Sequence, residues 1–582
     1  MENREVAAIL RETAHLLQLD GAIIGRYRSY EKAAELIDSM SESVAELAKQ
    51  EGQLEELPGI GERMAEHIEE ILKTGNYSLR TKLLKKYPST ILDVLKIQGL
   101  GPKKVAMIWS AFKAATVEEV EKLARGEKLR DMPGFGEKTE QNILRAIEVF
   151  KKVTGRFHIH IVAEIAEQLA THIRAHGKLV DSITPAGSLR RARETVGDLD
   201  LLVSLAPIKH SQKDVDALAE HILTYRGIEE VIARGENKVS FRLENGLQVD
   251  VRLLKKESYG AALLYFTGSK EHNVVLRQRA LKMGYTLNEY QLATLKGEKH
   301  VASATEEEIY AKLGMSTPPP EMRENTGEID LAAEKNLPAL VDVKDMRGDL
   351  QMHTTASDGR NSIEEMAEAA RALGYSYIAL TDHSKSVTVA NGLDEKRTLE
   401  QIKLIRAAEK KMGGFRILAG SEVDILKDGR LDMDDEVLAQ LDVVVCSIHS
   451  FMNLERAAMT ERMLAAIENP YCQIIGHPTG RVLLRRDGFD YDMEKILDAA
   501  AKRGVAMECN AYPDRLDLKD THLRMARDRG VKIVISTDAH SITHLPYMKY
   551  GVRTARRAWL EPRHVLNTQP VAKLLSALRP KP

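Results

Sequence analysis

Residues 187–200 read GSLRRARETVGDLD, and the apolar run DLDLLVSL (198–205) begins with the last three of those letters. In an extended strand alternate side chains point to opposite faces, so Asp198 and Asp200 share one face while the intervening leucines face the core. Two carboxylates on one face repel each other unless cations lie between them. The pattern therefore predicts a cation site at the start of this strand.

A third carboxylate, Asp250, lies in the apolar run LQVDVRLL (247–254). If that strand lies beside the first, three oxygen donors converge, a set that suits Mg²⁺ shared with substrate phosphates. A strand edge protected by acids is the plainer interpretation of a lone DxD. Gly187, Ser188 and Arg191 weigh against it, because a turn with bare N–H groups, a hydroxyl and a guanidinium holds phosphates. The combination predicts nucleotidyl transfer.

Upstream, an internal repeat occurs three times in a helical region that contains few predicted strands. Its copies are LPGIGERMAEHI from Leu57, IQGLGPKKVAMI from Ile97 and MPGFGEKTEQNI from Met132. Each Gly-x-Gly leaves backbone N–H groups bare at a helix N-terminus, a geometry that binds phosphate without reading bases. An ordinary turn explains one copy better, but not three. The predicted DNA-binding glycines are Gly59, Gly61, Gly99, Gly101, Gly134 and Gly136.

The stretch 73–113 carries nine Lys or Arg against a single acid, Asp93. A charge run is usually a solvated face, but beside the hairpins it predicts a DNA-backbone surface that includes Lys103 and Lys104. The whole chain is nearly neutral, with 84 basic and 86 acidic side chains in 582 residues. Any anionic partner must therefore be recognised locally.

Beyond a proline-broken stretch at 316–345, interpreted as an interdomain linker, seven apolar strand-like runs alternate with helical ones. Such a series predicts a parallel, barrel-like β/α domain. Histidine, aspartate and glutamate residues, which commonly bind metals, lie at the ends of these strands, where parallel barrels have their active sites. They are His353, His383, Glu422, His449, His477, Asp538 and His540.

One histidine at a strand end is usually a satisfied polar cap, but seven such residues are not plausibly independent caps. Mixed imidazole and carboxylate ligands suit Zn²⁺, Mn²⁺ or Fe²⁺, and several metals together would support phosphoester hydrolysis. Glu508 and Asn510 end the sixth strand, where substrate contact and a plain strand end are equally good interpretations. Arg481, Arg485 and Arg486 fit DNA phosphates and a solvated loop equally well.

Cysteine usage and the absence of long apolar runs bear on localisation. Cys446, Cys472 and Cys509 form an odd set without CxxC spacing, so we expect three small core residues in a reducing compartment. No apolar run approaches the roughly 20 residues that span a bilayer. We expect a cytoplasmic protein with no membrane partner.

The first 313 residues resemble the family X DNA polymerases, through GSLRRARETVGDLD, LQVDVRLL, YFTGSKEHN and LRQRALKMGYTLNEY. The resemblance implies that Asp198, Asp200 and Asp250 hold two Mg²⁺ or Mn²⁺ ions and that Asp250 helps deprotonate the primer 3′-hydroxyl. It also implies a nucleotide site and a DNA contact at Arg277. The implied nucleotide-binding residues are Gly187, Ser188, Arg191, Gly197, Tyr265, Phe266, Gly268 and Asn273. From the residues alone, Tyr265 and Phe266 are equally well core aromatics.

Two positions depart from this family. Members with 5′-deoxyribose-phosphate lyase activity place a lysine where this sequence has His67, and imidazole cannot form the iminium that a primary amine forms. The arginine that often precedes the third aspartate by two residues is Gln248 here, which weakens control of Asp250. We therefore expect polymerisation without that lyase centre.

From Arg347 to Leu575 the sequence resembles the PHP (polymerase and histidinol phosphatase) domain, in the order of bacterial and archaeal family X polymerases. The resemblance adds Asp358 to the ligands and implies up to three metals. The opening HxH of the family reads Gln351-Met352-His353 here, and a glutamine carbonyl is a weaker ligand than imidazole. One metal position is therefore expected to be loose or altered.

These features predict a multidomain fold: α-helical N-terminal helix-hairpin-helix domains, an α/β nucleotidyltransferase palm with thumb, and a C-terminal (β/α)7-type PHP barrel. The expected boundaries are 1–82 and 83–155 for the helical domains, 156–258 for the palm, 259–315 for the thumb, 316–345 for the linker and 346–582 for the barrel.

The predicted function is gap-filling DNA synthesis in base excision repair, on gapped or primer-template DNA with dNTPs. The PHP domain would add a metal-dependent 3′-5′ exonuclease, with AP endonuclease or 3′-phosphatase activity as further options. A monomer suffices. Two rivals remain: a small-molecule phosphatase in the barrel, and a degenerate DNA-binding scaffold.

Overall fold

The computed structural model describes residues 3–40, 43–50, 52–97, 99–153 and 155–581. They divide into two compact units, one from residues 1–154 with 484–486 and one from 155–483 with 487–582. Gln98, in the second glycine hairpin, lies outside the described residues. Among the described residues, no helix has both the length and the apolarity to cross a membrane.

The described part of the first unit is helical, as predicted, with the apolar faces of its helices packed into one core. Its helices are α1 (Asn3–Leu19), α2 (Ile24–Ser39), α3 (Val44–Leu47), α4 (Glu62–Thr74), α5 (Ser78–Lys86), α6 (Ile91–Leu95), α7 (Pro102–Phe112), α8 (Val117–Arg125) and α9 (Gly136–Val153). The three glycine repeats lead into α4, α7 and α9. Gly61 and Gly101 are the N-cap residues of α4 and α7, and neither helix has a side-chain cap.

The second unit starts with a five-stranded sheet in the order β2-β4-β7-β6-β5. Its elements are β1 (Phe157–His158), α10 (Ile159–Arg174), β2 (Val180–Pro185), α11 (Gly187–Arg190), β3 (Thr195–Val196), β4 (Asp198–Leu205), α12 (Gln212–Leu223), β5 (Ile228–Gly235), β6 (Lys238–Leu243) and β7 (Gln248–Lys255). β4 and β7 run parallel and adjacent, so both aspartate-bearing strands occupy the middle of the sheet. Their leucines and valines fill the core below.

A small helical and three-stranded region follows, with the sheet order β10-β9-β8. Its elements are α13 (Tyr259–Thr267), α14 (Lys270–Lys282), β8 (Tyr285–Leu287), β9 (Leu292–Thr294), β10 (His300–Ala302), α15 (Glu306–Lys312) and α16 (Glu328–Ala333).

The 316–345 segment is more ordered than the interpretation of it as a linker suggests. Besides α16 it contains 3₁₀ turns at Pro320–Met322 and Val343–Asp345. Arg323 is almost fully buried and forms a two-pronged ion pair with Glu306 of α15. Glu328 is buried against His272, whose Nδ1 lies 2.6 Å from its carboxylate. The prolines interrupt regular structure, but these charged contacts hold the segment onto its neighbours.

The remaining residues form a seven-stranded parallel sheet in sequential order, as predicted. Its strands are β11 (Gly348–Asp349), β12 (Tyr377–Leu380), β13 (Arg416–Asp424), β14 (Val443–Ser447), β15 (Ile474–Ile475), β16 (Ala506–Asn510) and β17 (Ile533–Ser536). Its helices are α17 (Ile363–Ala372), α18 (Glu395–Met412), α19 (Asp435–Leu438), α20 (Arg456–Glu468), α21 (Met493–Arg503), α22 (Asp520–Asp528), α23 (Met548–Arg557) and α24 (Val571–Ala577). A bridge between Met352 and Ala539 joins the segments after the first and last strands, which nearly closes the barrel.

The three cysteines are free and buried in this barrel, as expected of small core residues.

Candidate active sites and metal centres

The sheet brings the three predicted aspartates together. Asp200 on β4 is the direct register partner of Asp250 on β7, and Asp198 lies two residues before Asp200 on the same face. Asp198 is exposed, whereas Asp200 and Asp250 are half-buried. Burial, and then the carboxylates of Asp198 and Asp250, raise the pKa of Asp200 to about 6. This crowding is the repulsion that a bound cation would relieve.

Lys238 is a site residue that the sequence analysis missed. Its Nζ, on the neighbouring strand β6, donates to Asp250 Oδ2 at 2.9 Å. Burial would raise the pKa of Asp250, but the side chains of Ser240 and Lys238 outweigh it and hold that pKa below its ordinary value. Asp250 Oδ1 is buried and has no hydrogen-bond partner among the described residues. Oδ1 of Asp250 is therefore available to a cation. The alternation of apolar and polar residues in KVSFRL predicted the strand that carries Lys238, but not the contact of Lys238 with Asp250.

The predicted phosphate turn lies against these carboxylates. Gly187 has a φ of +56°, and a Cβ at this position would lie 3.0 Å from Asp200 Oδ2. The backbone N–H of Ala186 donates to the carbonyl of Asp200 at 2.9 Å. Glycine at 187 is thus required both by the left-handed backbone and by the close approach of the carboxylate.

Arg191 is held beside this turn. Its Nη1 donates to the carbonyl of Thr267, and its Nε donates to Glu324 Oε1 at 3.1 Å. Gly268 lies so close that a Cβ there would be 3.1 Å from Arg191 Nη1. The neighbouring Arg190 instead forms an ion pair with Glu306, with 2.7 Å between Nη2 and Oε2.

Three of the predicted nucleotide-binding residues, Tyr265, Phe266 and Asn273, lie close together. Tyr265 is 37% exposed and packs edge-on to Phe266, with ring centroids 5.1 Å apart. The guanidinium of Arg252 lies 4.0 Å from the centre of the Phe266 ring, a cation–π contact that the sequence analysis did not anticipate. Asn273 donates to the carbonyl of Tyr265 at 2.8 Å, while its Oδ1 has no hydrogen-bond partner among the described residues.

Three further predicted residues differ in their surroundings. Gly197 precedes Asp198, and a Cβ there would lie 3.7 Å from Arg156 Nη1. Ser188 is half-buried in the turn, and Arg277 is exposed on α14.

In the first unit, the six predicted DNA-binding glycines face open space. A Cβ at any of them would meet no atom within 4 Å, and Gly59, Gly99, Gly134 and Gly136 have positive φ. The Nζ of Lys104 lies 5.5 Å from the ring centre of Phe135, while Lys103 is exposed. These turns therefore leave room for a ligand beside a helix N-terminus.

His67, at the position where lyase-active relatives carry a lysine, is buried among aromatic rings. Its Nδ1 lies 3.0 Å from the hydroxyl of Tyr30, and its ring packs against Tyr77. Burial is the largest cause that lowers its pKa.

At the barrel, the predicted ligands converge. The histidine–carboxylate cluster consists of His353, Asp358, His383, Glu422, His449, His477, Asp538 and His540. Three of its subsets, overlapping in membership, place one ligand atom per residue within 4.8 Å of one another: His353, Asp358, His383 and His540; His383, Glu422 and His449; His353, Glu422 and Asp538. Three overlapping subsets suit a centre of up to three ions.

Glu422 lies at the middle of this cluster. Its Oε2 lies 3.2 Å from His383 Nδ1 and 3.5 Å from His353 Nε2. Its Oε1 lies 2.8 Å from His477 Nε2 and 3.4 Å from His449 Nε2. The two oxygens thus face different imidazoles, so each could join a different group of metal ligands.

Buried atoms without hydrogen-bond partners fit a metal centre. His383 Nδ1 and Glu422 Oε2 are buried, and neither has a hydrogen-bond partner among the described residues despite their closeness. Two ligands of one tetrahedral ion lie about 3.3 Å apart at ordinary bond lengths. Burial lowers the pKa of His383 to about 3, so this imidazole is neutral. Burial opposes ionisation of Glu422, but His383 and His449 hold its pKa well below the ordinary value.

Gln351, which replaces the first histidine of the HxH motif, faces this region. It is fully buried, and neither amide atom has a hydrogen-bond partner among the described residues. A Cβ at Gly476 would lie 3.3 Å from its Oε1. A buried amide of this kind costs free energy unless a ligand satisfies it.

Two nearby residues extend what the sequence suggested. Asp424 was missed, although it follows Glu422 by two on the same strand face; its Oδ1 accepts from the backbone N–H of His449 at 3.0 Å. Glu508, for which substrate contact and a plain strand end were equally good interpretations, is buried and accepts from the backbone N–H of His477 at 2.6 Å. Burial, and then Asp538, raise the pKa of Glu508 well above its ordinary value.

Comparison with known families covers most of the chain. Residues 1–77 match a helix-hairpin-helix domain, 91–148 a SAM-like helix-hairpin-helix tandem, 262–324 the DNA polymerase beta thumb and 349–512 the PHP domain. The match to the thumb continues into the 316–345 segment, where Arg323 packs onto α15.

The chain is also similar to individual proteins. The chain is 37% identical over 571 residues to the DNA polymerase/3'-5' exonuclease PolX of Bacillus subtilis strain 168, covering 98% of each chain. It is 30% identical over 247 residues to a probable phosphatase of Thermoanaerobacter sp. strain X514, covering 40% of this chain and 95% of that one. A solved ternary complex of Leishmania infantum polymerase beta is 26% identical, with a TM-score of 0.28, over 40% of this chain and 98% of that one. Because the Bacillus relative aligns over nearly its whole length, the chain belongs to the family X DNA polymerases that carry a C-terminal PHP domain.

Proposed function

We propose that this chain is a DNA repair enzyme in which the five-stranded sheet carries a template-directed polymerase and the barrel a 3′-5′ exonuclease. The polymerase assignment rests on the direct pairing of Asp200 with Asp250 beside the Gly187 turn. Two Mg²⁺ or Mn²⁺ ions at Asp198, Asp200 and Asp250 would neutralise the triphosphate and polarise the primer hydroxyl.

Each protein group has a distinct role in this proposal. Lys238 engages Asp250 Oδ2, so Oδ1 is the oxygen that takes part in removing the primer proton. The Gly187–Ser188 turn and Arg191 bind the triphosphate. The exposed ring of Tyr265 borders the sugar with Phe266 and Gly268, and the unsatisfied Oδ1 of Asn273 faces the base.

In the barrel, the histidine–carboxylate cluster with Gln351 would hold up to three Zn²⁺, Mn²⁺ or Fe²⁺ ions. Such ions polarise a phosphodiester and lower the pKa of bound water. Glu422 would contribute both oxygens to the site, and Asp424 orients the His449 imidazole, whose Nδ1 lies 3.1 Å from Asp424 Oδ1. We assign the barrel to removal of 3′-terminal nucleotides, because one site that adds nucleotides and another that removes them serve the same primer end.

The DNA partner is gapped or primer-template DNA. The three glycine hairpins and the basic residues of 73–113 bind its backbone without reading bases, while Arg277 adds a contact from α14. We propose that the protein acts on such DNA in base excision repair.

A phosphatase is the second candidate for the barrel. The alignment with the probable phosphatase of Thermoanaerobacter covers 95% of that protein. This similarity favours a small phosphomonoester as an alternative substrate of the barrel. Preferential turnover of histidinol phosphate over 3′-recessed DNA would replace the exonuclease assignment with this one.

The test measures two activities separately. Extension is followed on labelled one-nucleotide-gap DNA with dNTPs and Mg²⁺, and degradation on 3′-recessed DNA with Mn²⁺. Asp198→Ala combined with Asp200→Ala should abolish extension and spare degradation, whereas His383→Ala should do the opposite. Glu229→Gln, which removes an exposed charge from β5, is the matched control and should change neither activity. Loss of both activities in either site variant, with the fold intact, would contradict the two-site assignment.

A further inference from the structure

The phosphate turn depends in part on groups outside it. Its helix α11 is only four residues long, and the carbonyl of Leu189 accepts from the backbone N–H of Ala192 at 3.1 Å. Among the described residues, no backbone N–H donates to the carbonyls of Arg190 and Arg191, which end the turn. Groups that bind these carbonyls therefore fix the position of the turn.

Those groups come from the barrel. Arg553 on α23 donates through Nη2 to the carbonyls of Leu189 at 2.7 Å and Arg190 at 3.1 Å. Arg557, one turn further along α23, donates through Nη1 to the carbonyl of Arg191 at 2.8 Å. Two arginines of the barrel thus act as the C-terminal cap of α11.

Arg557 is itself held in place. Its side chain is only 3% exposed, and it is anchored on Asp520 of α22 by Nε at 2.9 Å and by Nη2 at 2.7 Å. Its Nη1 also lies 2.9 Å from Glu324 Oε1, the same oxygen that accepts from Arg191 Nε. A planar guanidinium fixed on both sides in this way orients the groups it binds. Glu324 consequently links Arg557 to the side chain assigned to the triphosphate.

The end of the turn is held as well. Arg481 donates to both oxygens of Glu194, through Nη2 at 2.5 Å and Nη1 at 3.2 Å. Its Nε donates to the carbonyl of Arg515 at 2.9 Å. Arg481 follows His477 of the metal cluster by four residues. This arginine is thus engaged with protein groups, which argues against a role in binding DNA phosphates.

Apolar packing makes this junction rigid. Leu516 and Tyr550 of the barrel are buried in the core of the five-stranded sheet. The arginines therefore project from a surface that is fixed relative to the sheet, within one compact unit.

We propose that Arg553 and Arg557 are positioning residues for nucleotide binding by the polymerase. The barrel then serves the polymerase as a structural half of its triphosphate site, independently of its own hydrolytic chemistry. This inference rests on the proposed polymerase function, because it assigns a role to the turn that binds the triphosphate.

The experiment uses the full chain with Arg553→Gln, Arg557→Gln and the double variant, measured by steady-state extension of one-nucleotide-gap DNA. The double variant should raise the KM for dNTP about tenfold, the equivalent of losing one or two charge-assisted hydrogen bonds. The kcat and the KM for DNA should change less than about threefold, since the hairpins and the carboxylates are untouched. Mn²⁺-dependent degradation should stay at the wild-type rate.

Arg556→Gln is the matched control. Arg556 lies on the same helix but points to other partners, donating to Glu321 at 3.0 Å and to the carbonyl of Val341 at 3.1 Å. If the double variant fails to fold in a thermal melt, Arg553→Gln alone decides, because it removes two hydrogen bonds to carbonyls and, among the described residues, no ion pair.

The inference is overturned if folded Arg553→Gln and Arg557→Gln match the control in their KM for dNTP. It is also overturned if kcat and degradation fall together with nucleotide affinity, because that pattern indicates general loss of structure. Absence of extension by the wild type, or extension by the Asp198→Ala and Asp200→Ala variant, would instead refute the proposed function, and the inference would fall with it.

Discussion

Replacing Asp200 with asparagine should stabilise the metal-free protein above pH 6. Asp200 lies against Asp198 and Asp250, and burial together with these two carboxylates raises its pKa to about 6, from an ordinary value of 3.8. At pH 8 the folded protein must therefore keep a carboxylate ionised where the surroundings favour the neutral acid. Asparagine has the same shape and carries no charge.

The magnitude follows from the pKa shift. Each pKa unit corresponds to about 1.4 kcal/mol, so a shift of about two units destabilises the ionised folded state by at most about 3 kcal/mol. Because the pKa in the folded state lies above that in the unfolded state, the folded state binds more protons between about pH 4 and pH 6. Stability therefore falls as the pH rises through this window. The advantage of Asp200→Asn should be complete at pH 8 and about half as large at pH 5.

The assay is chemical unfolding of the full chain in EDTA at pH 5, 6 and 8. The free energy of unfolding of the second unit, which contains Asp200, is compared between Asp200→Asn and the wild type. Glu229→Gln controls for loss of one negative charge elsewhere in the same sheet. Adding Mg²⁺ at pH 8 should stabilise the wild type but not Asp200→Asn, since only a protein that binds the ion gains free energy from it. An advantage that is absent at pH 8, or equal at pH 5 and pH 8, would refute the reasoning.

Three other outcomes are expected. Gly187→Ala should cut extension at least tenfold, because its Cβ would lie 3.0 Å from Asp200 Oδ2 on a left-handed backbone, while 3′-end degradation measured in parallel stays unchanged. Gln351→His should make the barrel retain metal about tenfold more tightly in a chelator competition followed by metal analysis, since imidazole is the stronger ligand; unchanged retention would show that residue 351 does not bind metal. Borohydride reduction on 5′-deoxyribose-phosphate DNA should trap no adduct at residue 67, because His67 is a buried imidazole bonded to Tyr30; peptide mapping of any adduct identifies the residue that carries it.

Local sequence was enough to predict the helical first unit, the aspartate-bearing strands and the parallel barrel. Alternating apolar and polar residues identified β4, β6 and β7 of the five-stranded sheet, which bury one face, whereas continuous apolar runs identified the barrel strands, which bury both faces. The order of the seven barrel strands followed from the alternation of strands and helices, since parallel neighbours need helical crossovers. The three hairpins were recognisable because a tight turn before a helix N-terminus requires glycine at fixed spacing.

The pairing that forms the metal sites is only partly a local property. Asp198 and Asp200 share a face by strand geometry alone, but 50 residues separate Asp200 from Asp250, and only the register of β4 with β7 makes them direct partners. Lys238 was missed for the same reason: it faces Asp250 only because β6 pairs with β7. Asp424 was within reach of sequence reasoning, since it follows Glu422 by two on one strand.

The sequence by itself determined which residue types stand at strand ends and turns, because these depend on backbone conformation and short-range periodicity. The tertiary structure alone decided which long side chains meet across domains. Arg553 and Arg557 resemble any surface arginines of an amphipathic helix, yet they bind the carbonyls of a turn more than 360 residues away in sequence. Hydrogen bonds between a flexible side chain and a backbone carbonyl leave no pattern in either segment, because every residue offers the carbonyl and only packing determines which one is reached.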